Sequence, residues 1–434
     1  MKFSTLTRQR APILFFVLML LAFLAVILFG RAVSPALGDY GEWTYHGVLF
    51  RDVLLGHPDA AYRLKPYPVP NSLTTLGLGV LMLVLPWAVA AKVWVLIGAA
   101  LGLVSCLLLQ NARGGESAWW RTLVFASAAV FGTTFWFGFT NFTWGLYLAM
   151  LLCAALLRGP VKPWRLMVLM LLLFLTHMIA WGFGMLVLAF YAFERQRLRL
   201  LLWTLPSWLL CLWYFAGRLL HHNADGDAGM VATARFMTPV FAAFKVNSFL
   251  KCWGFVNPAY TEHDSVLLAV LGTIGFLLLF AANLAVALGM FWLLLRRLRM
   301  ELRQRGSEWF LWASIVVFVV VGLLLPGSLA GISDPGARMM QVALWTGLCL
   351  MTVERRWLRQ VMTVCGALLL AANLWLLATV MMQPPRPGVA QGPLPEHLRV
   401  FAHVYYGDRY AEYAALRAGK RDLGIFPTAM FLKK

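Results

Sequence analysis

The sequence predicts an all-α protein: a polytopic transmembrane helical bundle of about eleven spans, with one further helix lying along the membrane in the first outer loop. Three observations lead there. Hydrophobic residues make up 61% of the chain and charged residues 13%, more apolar surface than the cores of a soluble chain of 434 residues can hide. The apolar residues fall in runs, many close to the ~20 residues that a spanning helix needs. The net charge of +19 gathers in short clusters between those runs. RRLRMELRQR (296–305), ERQRLR (194–199) and ERRWLR (354–359) look like cytoplasmic loops obeying the positive-inside rule. Basic clusters spaced in this way point to a lipid bilayer and away from nucleic acid.

The elements follow in order. The run at 12–30 comes after MKFSTLTRQR and is too long for the core of a signal peptide, so it reads as a retained first span. Further runs lie at 91–110, 121–138, 142–157, 166–177, 179–193, 200–216, 264–295, 309–326, 338–353 and 360–381. The run at 72–87 is the doubtful one. Counting it would put RGPVKPWR (158–165), ERQRLR and RRLRMELRQR all outside, so it reads as an apolar helix at the outer face. The stretch 166–193 could be one long helix or a hairpin broken at LTHMIAWG. The hairpin keeps both flanking basic clusters inside and is preferred.

Eleven spans put the N-terminus in the cytoplasm and the C-terminus in the periplasm of a cell inner (plasma) membrane. The acids offer a check. Glu116, Glu194, Glu301, Glu308 and Glu354 then face inward, each near an arginine, and the other acids face outward. The transmembrane module covers 1–381, with outer loops at 31–90, 217–263 and 327–337. The tail, 382–434, contains VYYGDRYAEYAALRAG, which suits a short amphipathic helix. No internal repeat is evident. Of the six cysteines, all but Cys252 lie inside apolar runs and none forms a CxxC pair, which argues against zinc and against a disulfide framework.

Titratable groups near a membrane are costly and therefore informative. GDYGEWTYHG (38–47) opens the first outer loop. On a helix over 40–55, Glu42 and His46 share a face, and Asp39 stands at the N-cap, where a carboxylate can accept backbone N–H groups. A capped helix with solvated charges is the plain alternative. GFTNFTWG (138–145) reads as a polar turn in which Asn141 satisfies backbone groups. His177 reads first as a structural hydrogen-bonder. SDPGAR (333–338) looks like a helix start capped by Ser333 or Asp334, with Pro335 in the first turn. Arg338 would then lie beside a helix N-terminus, a good arrangement for phosphate, with a snorkelling arginine as the alternative.

A first span, a long outer loop opening on an acidic motif and a membrane-surface helix ahead of the second span together resemble the GT-C glycosyltransferases, integral membrane enzymes that use polyprenyl-phosphate-linked sugars. GDYGEWTYHG stands where that family carries its first acidic motif. YPVPNSLTTLGLGVL (67–81) is similar to the stretch leading into its juxtamembrane helix, GFTNFTWG falls at the second outer loop, and Arg338 falls where a late outer loop supplies a phosphate-binding cation.

The resemblance implies transfer of a sugar, on the outer face, from a polyprenyl-phosphate donor to a glycan, lipid or protein acceptor. It implies a carboxylate as general base, Asp39 first and Glu42 second. Arg338 would stabilise the leaving phosphate, helped by His177 or Lys245. Trp43, Tyr45 and Tyr67 would stack on sugar rings, with His46 and Asn141 also lining the substrate site. Metal-using members carry an acid in the second outer loop, where this chain has Asn141. A divalent metal is therefore a doubtful expectation, and no other cofactor is implied. Two other functions fit the same features: a transporter or flippase of lipid-linked sugars, and a polysaccharide polymerase or ligase. A purely structural role is the third alternative.

Overall fold

A computed structural model describes residues 3–30, 39–60, 62–112, 118–220, 266–304, 308–326, 332–351, 355–382 and 430–433, with short pieces at 37, 245–246, 248–249, 328–329 and 353. Cys252, most of the loop at 217–263 and the expected tail helix lie outside the described residues.

The architecture is all-α, as the composition requires. Bilayer offers no water to hydrogen-bond a bare backbone, so each crossing segment must satisfy its own N–H and C=O groups. Five helices are long and apolar enough to cross a membrane: Trp87–Asn111, Thr140–Arg158, Leu198–Leu220, Val270–Glu301 and Arg356–Thr379. Shorter apolar helices lie at Val17–Phe29, Pro163–Thr176, Met178–Glu194 and Trp309–Leu324.

In chain order, α1 (Phe3–Phe29) leads into a loop holding α2 (Tyr40–Leu54), strand β1 (Tyr62–Leu64) and α3 (Leu73–Leu81). The helix expected along the outer face is thus only nine residues long. It packs on α2 where Gly47 and Gly79 let the two backbones approach. Next come α4 (Trp87–Asn111), α5 (Trp119–Phe125), α6 (Thr133–Trp136), α7 (Thr140–Arg158), α8 (Pro163–Thr176), α9 (Met178–Glu194) and α10 (Leu205–Leu220, entered through a 3-10 turn from Leu198). The described chain ends with α11 (Val266–Gln304), α12 (Trp309–Leu324), a small ladder of β2 (Ser328–Leu329) and β3 (Ile332–Ser333), α13 (Pro335–Leu350), α14 (Arg356–Met382) and β4 (Phe431–Lys433).

One detail departs from the periodicity, and one settles the choice between a long helix and the preferred hairpin. The run at 121–138 is not one helix. After α5 the backbone widens into a π turn over Ala126–Val130, breaks at Phe131–Gly132 and restarts as the single turn α6. The stretch at 166–193 folds as the hairpin. His177 is extended (φ −164°, ψ 133°), and Gly184 of α9 lies against Leu173 and Met170 of α8, which only an antiparallel return allows.

Lipid tails are as apolar as leucine, so helix association here rests on close packing and interhelical hydrogen bonds. Trp94 of α4 and Trp144 of α7 stack face to face, 4.2 Å between centroids. Trp136 is fully buried and donates from Nε1 to Asn373 Oδ1 of α14 at 2.7 Å. Arg121 of α5 donates to the carbonyls of Cys349 and Met351 at the C-terminal end of α13, opposite the end that carries Arg338.

The chain's last described residues return to the first loop. β4 pairs antiparallel with β1, Leu64 opposite Phe431, and Lys65 N–H donates to Met430 O at 2.8 Å. No local signal pointed to this strand. Its partner is some 370 positions earlier, and short ladders of this kind are set by tertiary contact.

Candidate functional site

The site begins where α2 starts. Asp39 occupies the N-cap position of α2 as expected, but its carboxylate makes no cap hydrogen bond. Its backbone is near-helical (φ −75°, ψ −2°) instead of the extended conformation that a capping residue usually takes. The backbone carries the attachment: Asp39 N–H donates to Phe137 O at 2.9 Å. Gly138 makes this possible. It has φ +71°, and a Cβ there would meet Tyr40 N at 2.5 Å and Asp39 N at 2.7 Å.

Glu42 and His46 lie deeper on the same helix. Both are buried, with His46 Nε2 3.9 Å from Glu42 Oε1. Trp43, Tyr45 and Phe431 of β4 surround the imidazole, and neither ring nitrogen has a hydrogen-bond partner among the described residues. Burial penalises the charged ring and holds the His46 pKa down at about 3.

The cation arrives from the far end of the chain. Asp334 takes a left-handed backbone (φ 46°) and caps α13, its side chain accepting from Ala337 N–H at 3.2 Å. Ser248 donates to the other carboxylate oxygen at 2.8 Å. This cap puts Arg338 in the first turn of α13. Gly336 fits the close contact with α12, since a Cβ there would come within 2.2 Å of Gly322 O. Arg338 reaches over the Phe139 ring at 4.2 Å and places Nη1 3.1 Å from His177 Nε2. Asp39 and Asp334 are the carboxylates whose charges act on it.

The Arg338–His177 contact has a donor too many. His177 Nδ1 accepts from Ile179 N–H at 3.2 Å, capping α9. A neutral imidazole has one acceptor nitrogen and one N–H, and a guanidinium has only N–H donors. If Nδ1 serves Ile179, Nε2–H faces Arg338 donor to donor. If Nε2 serves Arg338, Ile179 N–H loses its acceptor. A protonated ring would add a second positive charge. Where Nε2–H faces Arg338, or the ring is protonated, an anion oxygen reached by both groups would accept from the surplus donors.

Of the remaining expected residues, Asn141 and Tyr67 serve packing between elements and Lys245 lies beside Arg338. Asn141 ties α7 to the loop before α3, accepting from Thr74 N–H and donating to Asn71 O, both at 2.8 Å. Both ends of its amide are thus occupied. Tyr67 packs on Tyr214 and Gly217 of α10. Lys245 donates to Gly322 O at 3.0 Å, so it braces the α12–α13 turn beside Arg338. Burial lowers its pKa, and Asp334 opposes that shift.

Sequence reasoning missed Phe139 and Phe142, whose rings hold Arg338 and His177. Their place inside the polar turn GFTNFTWG was the available signal. A cavity lined by Leu37, Thr134, Phe135, Thr140 and Trp144 measures about 30 Å³, room for about one water and not for a sugar. Among the described residues no three His, Cys, Asp or Glu side chains come together as metal ligands.

These apolar helices define an α-helical, multi-pass membrane protein that sits in a lipid bilayer. No family model, no curated protein and no solved structure matches the chain.

Proposed function

We propose that the chain is a membrane glycosyltransferase that moves a sugar from a polyprenyl-phosphate donor to an acceptor at the outer face. The observation that carries this reading is the pairing of Arg338 with His177, with Asp39 near enough for its charge to act on the guanidinium. A carboxylate from the start of α2 and a surplus of N–H donors from α9 and α13 face the same end of the bundle. The acceptor hydroxyl attacks the anomeric carbon and gives its proton to Asp39 as general base. The bond from that carbon to the phosphate oxygen breaks, and its electron pair leaves on the phosphate. Arg338 and His177 Nε2–H stabilise the charge that develops there. Glu42, buried against His46, orients α2. Trp43 is buried beside the same pair.

The same reading places eleven spans across an inner membrane, with the N-terminus cytoplasmic and the C-terminus periplasmic. Pairing of β4 with β1 supports it, because it joins the C-terminal tip to the loop after the first span. Eleven crossings agree with that pairing.

The test is transfer of labelled sugar from synthetic polyprenyl-phosphate sugars by the purified protein in lipid nanodiscs. Sugar appearing on an acceptor, with polyprenyl phosphate released in equal amount, is the expected result. Donor crossing the bilayer intact, with no transfer, would replace the enzyme by a transporter.

A further inference from the structure

The attachment of the chain's last described residues to the first loop is small. β4 pairs with β1 at three positions, Tyr62 opposite Lys433, Arg63 opposite Leu432 and Leu64 opposite Phe431, and the bond from Lys65 N–H to Met430 O adds one more. A two-stranded ladder this short is not stable by itself. Its main anchor is one side chain. Phe431 is 2% exposed and forms, with Tyr45 and Leu49 of α2, a cluster of buried residues apart from the main core.

Under that cover lies an imidazole that gains nothing from being buried. His46 is fully enclosed, its ring centre 6.0 Å from that of Phe431. Neither ring nitrogen has a hydrogen-bond partner among the described residues. Glu42 Oε1 stays 3.9 Å from Nε2, beyond hydrogen-bond reach. A polar group in that position has given up water without a replacement, which costs free energy.

Lifting β4 reverses both effects: Phe431 loses its apolar contacts, and His46 regains hydrogen bonds to water. The gain from burying one phenyl ring and the cost of leaving a buried polar group unsatisfied are of similar size. Closed and open arrangements are therefore close in free energy.

We propose that β4 is a latch, which closes over His46 by docking on β1 and α2 and opens as a unit while the helical bundle stays folded. The docking groove takes an extended chain end that carries a phenyl ring. Main-chain hydrogen bonds to β1 set the register, and Tyr45 and Leu49 hold the ring. The strand is held by these contacts and not by its link to α14, so the same residues dock as a free peptide. The latch does not depend on the activity proposed for Asp39 and Arg338.

The experiment uses the full chain in lipid nanodiscs and diethylpyrocarbonate, which acylates an accessible neutral imidazole, with modified histidines identified by peptide mass spectrometry. His57, exposed in the same loop, reports unhindered reaction, and buried His177 reports whether the helices stay packed. In the wild type His46 should react measurably but many-fold more slowly than His57. F431A, and a chain ending at Thr428, should bring His46 to within a few-fold of His57 and leave His177 protected. Adding the synthetic peptide AMFLKK to the shortened chain should restore protection, and AMALKK should not. Protection of His46 that survives both variants would overturn the latch, because something other than β4 would then cover the ring. Loss of His177 protection together with that of His46 would overturn it too, since β4 would then be part of the bundle's own stability. So would a wild-type His46 that never reacts, or a shortened chain that AMFLKK fails to protect.

Discussion

Arg338 and Asp39 divide the proposed reaction between them, and their variants should fail differently. Arg338→Ala removes the charge that stabilises the leaving phosphate and should lower turnover by about 10²–10³-fold. Lys should restore it only in part, because an ammonium cannot offer the planar fork of a guanidinium. Asp39→Asn keeps the size but cannot take the proton, and should cost roughly 10²–10⁴-fold with membrane insertion unchanged. Transfer assays on both, normalised to folded protein, decide the point, and full activity in either variant removes that residue from the mechanism. His46 makes a prediction about stability instead. Its pKa is about 3 in the folded chain and about 6.5 when unfolded, so the unfolded state binds the extra proton. Above pH 6.5 the ring is neutral in both states and costs nothing; as pH falls from there toward 3, stability is lost. His46→Phe should flatten that acid limb in thermal melts, and an unchanged limb would show that other groups set it. Asp39 and Arg338 were legible in the sequence because acids and late outer arginines are scarce there. The Phe139 and Phe142 rings were marked only by their place inside the polar turn GFTNFTWG, which does not say what an aromatic ring will hold.

Among the elements, the turn at Gly138 connects α6 to the start of α2, and so sets where Asp39 stands. Gly138→Ala meets both a positive φ, costing about 1–2 kcal/mol, and the backbone of residues 39 and 40. Gly159 is the control. It also has positive φ, +126°, but nothing within 4 Å of a Cβ there. Both alanine variants should melt lower than the wild type, and only Gly138→Ala should also lose transfer per folded molecule. If Gly138→Ala kept its activity, the turn would not position Asp39. Periodicity located most helices to within a few residues but joined α5, the π turn and α6 into one run. The break lies in Ala126–Gly132, whose sequence up to Phe131 is equally compatible with a straight helix, and neighbouring helices decide between the two.

The whole molecule is a set of helices whose ends differ in chemistry. Arg338 and His177 pair at one end, within reach of the Asp39 charge, and Arg121, Glu194, Arg297 and Arg355 mark the other. Reporter fusions after residues 60, 240 and 400 should lie outside the cytoplasm, and fusions after 160, 198 and 303 inside it. A cytoplasmic reporter at 240 or 400 would break the eleven-span topology. The charge pattern reaches this far because each basic cluster reports on its own loop, whatever packs around it.

Composition and periodicity by themselves determined that this chain lives in a bilayer as helices, since backbone groups in hydrocarbon must be satisfied within each segment. They also marked where chemistry could occur, because charged groups near a membrane are kept only where something compensates them. Which of those groups meet was decided by the tertiary structure. Asp39 and Arg338, roughly 300 positions apart, face the same end because Gly138 fits against residues 39 and 40 and Gly336 fits against Gly322. Asn141 binds the α3 loop, and Phe431 covers His46, through contacts of the same kind. Such fits depend on the shapes of surfaces distant in the chain, and a local pattern of apolar and polar residues does not contain them.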